Sequence, residues 1–519
     1  MRKKLTWHCA VSPGDLGASA FGLTKELLTI NDNGTGARRG AQVLERLRAA
    51  PPNLWYDGRP VEDPTAHPAM RRGVQTLAAL YDQQWCEPEI TLYDSPTSGA
   101  KISRTFLIPR TSDELRSITR AMKVRADWNF GMMGRAPDYL NRAMAGYASG
   151  AAFLGEADPR FGENVRRYYE SLREHDLSLT HTLITPQANR SVGTARQADP
   201  FLAARVKEET AEGLLIEGCR MLATLPFADE LMVFPSTLLK NQDEDAPYAF
   251  GLCLATNTPG LKFLCRESLD YGRPEYDHPF GSRFEELDSV VMFENVFVPW
   301  ERVFLYRDVA HCNNAYARTG ALACMAHQVA VKNLAKTEYL MGLASLLAHS
   351  IAIESFQHIQ EKLAEIWVNM ETMRAFLRAA EADATLDEYG MLRPAWDPLD
   401  AARNLYPRLY PRMVEIIQQM GASGLVAMPT EADVRGPMAG EIERYFQSAR
   451  AEAHDRIPLF RLAWDTALSA FASRQVLYER FFFGDPVRMA GALVASHDRT
   501  AYMDRVREFL AAVKSEAQE

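Results

Sequence analysis

The chain has 519 residues, 47% of them hydrophobic and 24% charged, with a formal net charge of -9 and a pI near 5.8. Lysine and arginine are scattered singly or in pairs, which leaves no basic footprint for nucleic acid or anionic lipid, so neither is an expected partner. No run approaches the roughly 20 apolar residues of a membrane helix, and Met1 to Lys4 lead into no signal-like apolar stretch, so a cytoplasmic location is expected.

Residues 1 to about 36 carry Pro13-Gly14, Asn31, Asn33 and Gly34 among brief apolar stretches and read as a flexible extension. From about 37 to 180 the pattern is mainly helical: Arg116 to Lys123, and Glu163 to Leu177 with Val165, Tyr168, Tyr169 and Leu172, repeat apolar residues at helical spacing. Inside this region Met133 to Tyr139 has the form of a helix start. Pro137 suits the first helical position and Asp138 the first turn, with Arg135 just before it and Tyr139 close by. A guanidinium beside a helix N-terminus favours an anion such as a phenolate over its neutral form. The other reading of Arg135 is a surface pair with Asp138 or another carboxylate.

From about 181 to 305 the apolar period shortens. Leu214 to Ile216, Leu231 to Phe234, Phe250 to Leu254, Leu261 to Leu264 and Val290 to Phe293 are short runs broken by Gly, Pro and Asn, which predicts a β domain. His181 opens a turn-rich segment to Arg190, in which Gln187, Asn189 and Arg190 suit an anionic or amide-rich ligand; a structural role for the lone histidine is equally open. After Trp300 the helical period returns. Ile359, Leu363, Ile366, Trp367, Met370, Met373, Phe376 and Leu377 form one broad apolar face, Met413 to Met420 a second, and Leu459 to Leu477 a third, which predicts a helical bundle over 306 to 519.

Several chemistries drop out. Gly34-x-Gly36-x-x-x-Gly40 has the wrong spacing for a dinucleotide fingerprint and follows no predicted strand. The P-loop, H-E-x-x-H and G-x-S-x-G patterns are missing from the sequence, which argues against phosphoryl transfer, zinc hydrolysis and α/β-hydrolase chemistry. The seven cysteines (Cys9, Cys86, Cys219, Cys253, Cys265, Cys312, Cys324) are odd in number with no C-x-x-C pair, and read as reduced thiols with no metal role.

Six longer motifs carry a resemblance. They are Pro51 to Tyr56, Gly131 to Asn141, Asp176 to His181, Val298 to Phe304, Gly421 to Leu425 and Phe481 to Arg488. In this order and at these separations the chain resembles the 4-hydroxyphenylacetate 3-monooxygenase oxygenase family from about Arg38 to Leu510. The resemblance implies an α+β multidomain, acyl-CoA dehydrogenase-like fold: an N-terminal mainly helical domain (37–180), a middle β domain (181–305) and a C-terminal helical bundle (306–519). It implies FADH2-dependent hydroxylation of 4-hydroxyphenylacetate, or a similar small phenol, ortho to its hydroxyl by way of a flavin C4a-hydroperoxide. The FADH2 is supplied by diffusion from a separate NAD(P)H:flavin reductase, O2 is the co-substrate, and a homotetramer is the expected assembly.

The resemblance also implies roles for residues. Arg135, Tyr139 and His181 match contacts to the phenol hydroxyl, and Ser236 and Thr237 match positions at the carboxylate end of the substrate. Gln187, Ala188, Asn189 and Arg190 match a flavin-binding segment, Thr224 a residue near the reactive edge of the isoalloxazine, and Asp485, Pro486, Val487 and Arg488 a flavin contact from the last domain. Leu239 to Pro247 is a polar loop near Ser236 that bears on substrate choice. In chemical terms a free phenol has a pKa of about 10, so the protein must favour the phenolate; the fixed charge of Arg135 and the acceptor or relay nitrogen of His181 are the groups for that task. The alternatives are an acyl-CoA dehydrogenase-like flavoenzyme, a hydroxylase of phenol, chlorophenol or coumarate, and a related iron-sulfur dehydratase, against which stand Arg135 and Tyr139 where cluster cysteines belong.

Overall fold

A computed structural model of the chain describes residues 34–186, 188–236, 239–240 and 242–516. The expectations for Gln187, Thr237 and all but the last three residues of the 1–36 extension lie outside the described residues.

Two sheets form the middle of the molecule. The larger has six strands in the order Arg59–Val61, Leu54–Tyr56, Leu261–Cys265, Asp288–Pro299, Gly213–Thr224, Arg205–Glu209; the smaller has four in the order Val303–Tyr306, Phe250–Ala255, Glu230–Val233, Leu179–Thr182. The predicted apolar runs fall inside these strands, except that Leu231 to Phe234 runs one residue past Glu230–Val233. Their inward residues, among them Leu214, Ile216, Leu231, Val233, Phe250, Leu252, Phe263, Val291 and Phe293, make one core between the sheets.

The helices on either side begin where the chain offers a cap. Thr111 and Glu114 form a reciprocal capping box ahead of Ser112–Trp128, and Asp158 caps Pro159–His175, which stops at Asp176 in the left-handed region. In the last third, the long helices Ala321–Ser350, Gln357–Ala382 and Trp396–Gly421 bury a second core through Leu340, Leu347, Ile366, Met373, Tyr406, Met413 and Ile417. This is the α+β multidomain class the sequence predicts.

The apolar faces need two corrections. Trp367 is 53% exposed and Leu477 60%, so neither belongs to the face assigned to it. The third face is also two helices, Ala453–Ala467 and Ala470–Phe481, because Ser469 accepts from the Ala472 N–H and starts the second one on a new axis. Among the described residues no helix is long and apolar enough to cross a membrane.

Candidate active site

The loop before Asp138–Ser149 sets up the site. Phe130 and Gly131 both take positive φ, 54° and 66°, and a Cβ at Gly131 would lie 2.6 Å from the carbonyl oxygen of Lys332, so the loop lies flat on Ala321–Ser350. At Gly134 a Cβ would stand 2.1 Å from the Tyr478 hydroxyl. The missing side chain lets the 470–481 helix come close enough for the Arg135 Nη1 to donate to Tyr478 Oη at 2.6 Å.

Arg135 is 8% exposed. Its backbone N–H donates to Glu286 at 2.5 Å, and its guanidinium carbon lies 4.4 Å from the ring centre of Phe482, 4.7 Å from Tyr139 and 5.5 Å from Tyr478. Asp138 turns the other way, accepting from Gln328 at 3.0 Å with Arg125 at 3.9 Å. Among the described residues no carboxylate reaches the Arg135 guanidinium, and Nε has no partner, so the surface-pair reading does not hold. Pro137 occupies the N-cap and Asp138 the first helical position, one residue later than the spacing predicts.

His181 lies within a strand and opens no turn. It pairs in parallel register with Met232, its ring centre 4.9 Å from Phe234 and 5.8 Å from Tyr139. Nδ1 is buried and has no partner among the described residues. Burial first, and the Arg135 charge second, hold the imidazole well below its ordinary pKa, so it is neutral at pH 7 with one ring nitrogen free to accept. Burial pushes the Tyr139 hydroxyl up, opposed by Arg135, so Tyr139 stays a donor. The structure thus brings Arg135, Tyr139 and His181 together at one buried spot.

The other candidates fall in two groups. Ser236 is buried and follows Pro235, whose carbonyl accepts from the Tyr316 hydroxyl at 3.4 Å. Ala188, Asn189 and Arg190 lie on an exposed loop, and the last two line a cleft of about 750 Å³ whose other wall includes Leu239, Lys240, Glu244 and Asp245. Asp485 caps Pro486–Ser496, accepting from the N–H groups of Val487 (2.7 Å) and Arg488 (3.0 Å). Those amides, with the charges of Arg488 and Arg190, hold its carboxyl below the usual range, which places Arg190 within electrostatic reach of the Asp485 turn.

Thr224 closes the strand at Gly213–Thr224, and its hydroxyl donates to Asp288 at 2.7 Å. Burial alone would raise the Asp288 carboxyl; Arg474 at 2.7 and 3.1 Å, with Arg266 at 2.9 Å, outweighs it and holds the group far below the usual range. Arg474 also reaches Glu286, the acceptor of the Arg135 N–H. Sequence reading missed Tyr478, Glu286, Asp288 and Arg474. The one local signal was the aromatic run Phe481 to Phe483, three residues past Tyr478.

The sequence matches the family model described as 4-hydroxyphenylacetate 3-hydroxylase N terminal over residues 39–305 and its C-terminal counterpart over 312–511. The chain belongs to the 4-hydroxyphenylacetate 3-hydroxylase family. It is 50% identical over 477 residues to the 4-hydroxyphenylacetate 3-monooxygenase oxygenase component of Thermus thermophilus, covering 91% of this chain and 97% of that protein. The crystal structure of a 4-hydroxyphenylacetate 3-monooxygenase oxygenase component complexed with FAD and 4-hydroxyphenylacetate superposes with a TM-score of 0.89 at 49% identity, covering 93% of this chain and 100% of that one. An archaeal 4-hydroxybutyryl-CoA dehydratase from N. maritimus, 19% identical over 92% of this chain and 95% of that one, has the same fold at a TM-score of 0.83.

The residues of this family member fit a flavin dinucleotide. A cleft of about 750 Å³ is within the size range of cofactor sites, and its lining offers the Arg190 charge and the Asn189 side-chain amide, groups of the kind that suit a phosphate and a heteroaromatic edge.

Proposed function

We propose that this chain is the oxygenase component of a two-component flavin-dependent monooxygenase, and that it hydroxylates 4-hydroxyphenylacetate ortho to its hydroxyl to give a catechol. The observation that carries the reading is the buried Arg135–Tyr139–His181 group, in which, among the described residues, the guanidinium has no carboxylate partner and the imidazole Nδ1 no partner.

The residues act on the phenol. Arg135 sits where its charge favours phenolate over phenol, and the neutral His181 Nδ1 accepts the hydrogen bond of the phenol hydroxyl and relays its proton, which burial and the Arg135 charge keep the imidazole from holding. Tyr139 donates to the same oxygen and fixes the ring position to be attacked. Ser236, with Thr237 after it, holds the acid end, so the ring is pinned at both ends. Ala188 to Arg190 with Gln187, Thr224, and Asp485 to Arg488 hold FAD, which when bound and reduced supplies the oxygen chemistry. Burial of the phenol site keeps bulk water off the reacting carbon.

Two features bear on partners. The sequence carries no nicotinamide fingerprint, which supports a separate NAD(P)H:flavin reductase that passes FADH2 through solution. Helix Thr500–Glu516 exposes Tyr502, Met503, Val506, Phe509, Leu510 and Val513 along its length, which supports a homo-oligomer, read as a homotetramer, that covers them. The test mixes the purified chain with FAD, NADH, air and 4-hydroxyphenylacetate, with and without an unrelated flavin reductase. Catechol is expected only with the reductase. NADH oxidation by the chain alone, stimulated by the phenol, would overturn the two-component reading.

A further inference from the structure

Arg220 is 0% exposed, and no carboxylate among the described residues lies within ion-pair distance of it. Nη1 donates to the Leu183 carbonyl at 2.6 Å and the guanidinium carbon lies 5.3 Å from the Phe250 ring, while Nε and Nη2 are buried with no partner among the described residues. The ionisable groups that act on it are Tyr316, Cys312 and Cys219, all neutral at pH 7; burial pushes the guanidinium down to about 10. Arg142, another fully buried guanidinium, donates to the carbonyls of Thr105 and Leu107 and to the Cys324 sulfur, and leaves Nε alone without a partner among the described residues. Arg220 has one such acceptor, and an unmade set of charged hydrogen bonds is costly.

The position of Arg220 explains the deficit. Tyr316 packs on Phe234 at 5.3 Å and donates to the Pro235 carbonyl, beside Ser236, and Phe234 packs on His181 at 4.9 Å. Tyr147, whose hydroxyl also lacks a partner among the described residues, lies 6.1 Å from both Phe234 and Tyr316. Arg220 bonds the Leu183 carbonyl, two residues after His181, and lies over Phe250, whose neighbour Gly251 packs against Pro235 with a Cβ position 3.2 Å from its Cδ, so Arg135 and Arg220, both without a carboxylate among the described residues, border the segments that carry His181 and Ser236. Two buried like charges are offset together by a ligand with an ionisable phenol at one end and an acid at the other.

We propose that Arg220 is a specificity-determining residue that supplies the counter-charge for the substrate carboxylate from beneath Ser236, and so selects para-hydroxyaryl acids over neutral phenols. The proposal rests on the oxygenase reading for its substrate, but its binding test does not need turnover. Catechol formation from 4-hydroxyphenylacetate and from 4-hydroxyphenylacetamide, its neutral isostere, is measured in the FAD-loaded parent, Arg220→Met and Arg220→Lys with an added reductase. The parent should favour the acid by tenfold or more in kcat/KM. In Arg220→Met the KM for the acid should rise on the order of 30-fold while the amide changes less than about threefold and kcat at saturation holds; Arg220→Lys should keep most of the preference.

Loss of an unpaired buried cation should not lower the thermal midpoint of Arg220→Met, which separates this role from a structural one. Phenylacetate, an acid that cannot be hydroxylated, should raise the parent's midpoint and not that of Arg220→Met. A parent that treats acid and amide alike, or an Arg220→Met variant that loses both equally, overturns the proposal. A parent that makes no catechol but still binds phenylacetate through Arg220 overturns the oxygenase reading instead.

Discussion

Arg135→Gln removes a charge and leaves a side chain that still bonds the Tyr478 hydroxyl, so its effect isolates electrostatics. Bringing a phenol from a pKa of about 10 to about 7 takes roughly 4 kcal/mol. One guanidinium about 4 Å from the oxygen supplies about that much at an effective dielectric of about 20. Without it the phenolate fraction at pH 7 should fall about 10³-fold, and kcat should fall by roughly 10²–10³, the usual cost of losing one oxyanion partner. Stability should move little: three ring contacts at 4.4, 4.7 and 5.5 Å are lost, at about 0.5–1 kcal/mol each, but so is the desolvation cost of an unpaired cation. The assay is a single turnover with chemically reduced FAD and aerated buffer, with catechol quantified from pH 6 to 10. The variant's deficit should shrink as solvent pH rises toward the free phenol's pKa. A variant within fivefold of the parent at pH 7, or a deficit independent of pH, refutes the role given to Arg135.

Other perturbations read other parts of the site. Because His181 has a depressed pKa in the fold and an ordinary one near 6.5 unfolded, the unfolded chain takes its proton first; stability should drop as pH falls below about 6.5, and His181→Asn should flatten that slope in urea unfolding. Asp288 is also depressed, so its contribution should be present above about pH 4 and lost below it; Asp288→Ala takes one carboxylate from Arg474 and Arg266, which keep Glu286 and Glu285, and should cost about 1.5–3 kcal/mol by the same measurement. Gly134→Ala drives a methyl into Tyr478 and should cut hydroxylation at least tenfold with FAD affinity intact, read by equilibrium dialysis alongside catechol yield. Deleting residues 500–516 should lower the oligomeric order in sedimentation velocity, and an unchanged assembly would show that this stripe is not an interface.

How much of this was legible depended on how far each feature reaches along the chain. The strand runs were readable because alternation and β-branched residues are local: four of the five fall inside strands of the two sheets, and Leu231 to Phe234 runs one residue past Glu230–Val233. His181 was misplaced for the same reason in reverse: the nine residues after it hold Pro186 and Asn189 and look like a turn, while its strand is fixed by pairing with residues 230–233, some fifty positions on. Trp367 and Leu477 carry the right period but the wrong side, since a period gives a face and not its covering.

Arg135 shows where sequence reading stops. Its spacing from Pro137 and Tyr139 predicted a positive site, yet a surface pair fitted that spacing as well. The choice between them lies with Tyr478 and Phe482, more than 340 residues away, and with two absent side chains, at Gly131 and Gly134, that let distant helices close over the loop. Once closed, the rings shield the guanidinium without neutralising it. A buried cation is tolerated only when something offsets its lost hydration, and three π faces with one hydroxyl do so in part. The remainder is left for an anion, and that deficit is what supports the proposal that the site takes the phenol as its phenolate, the form that reacts most readily.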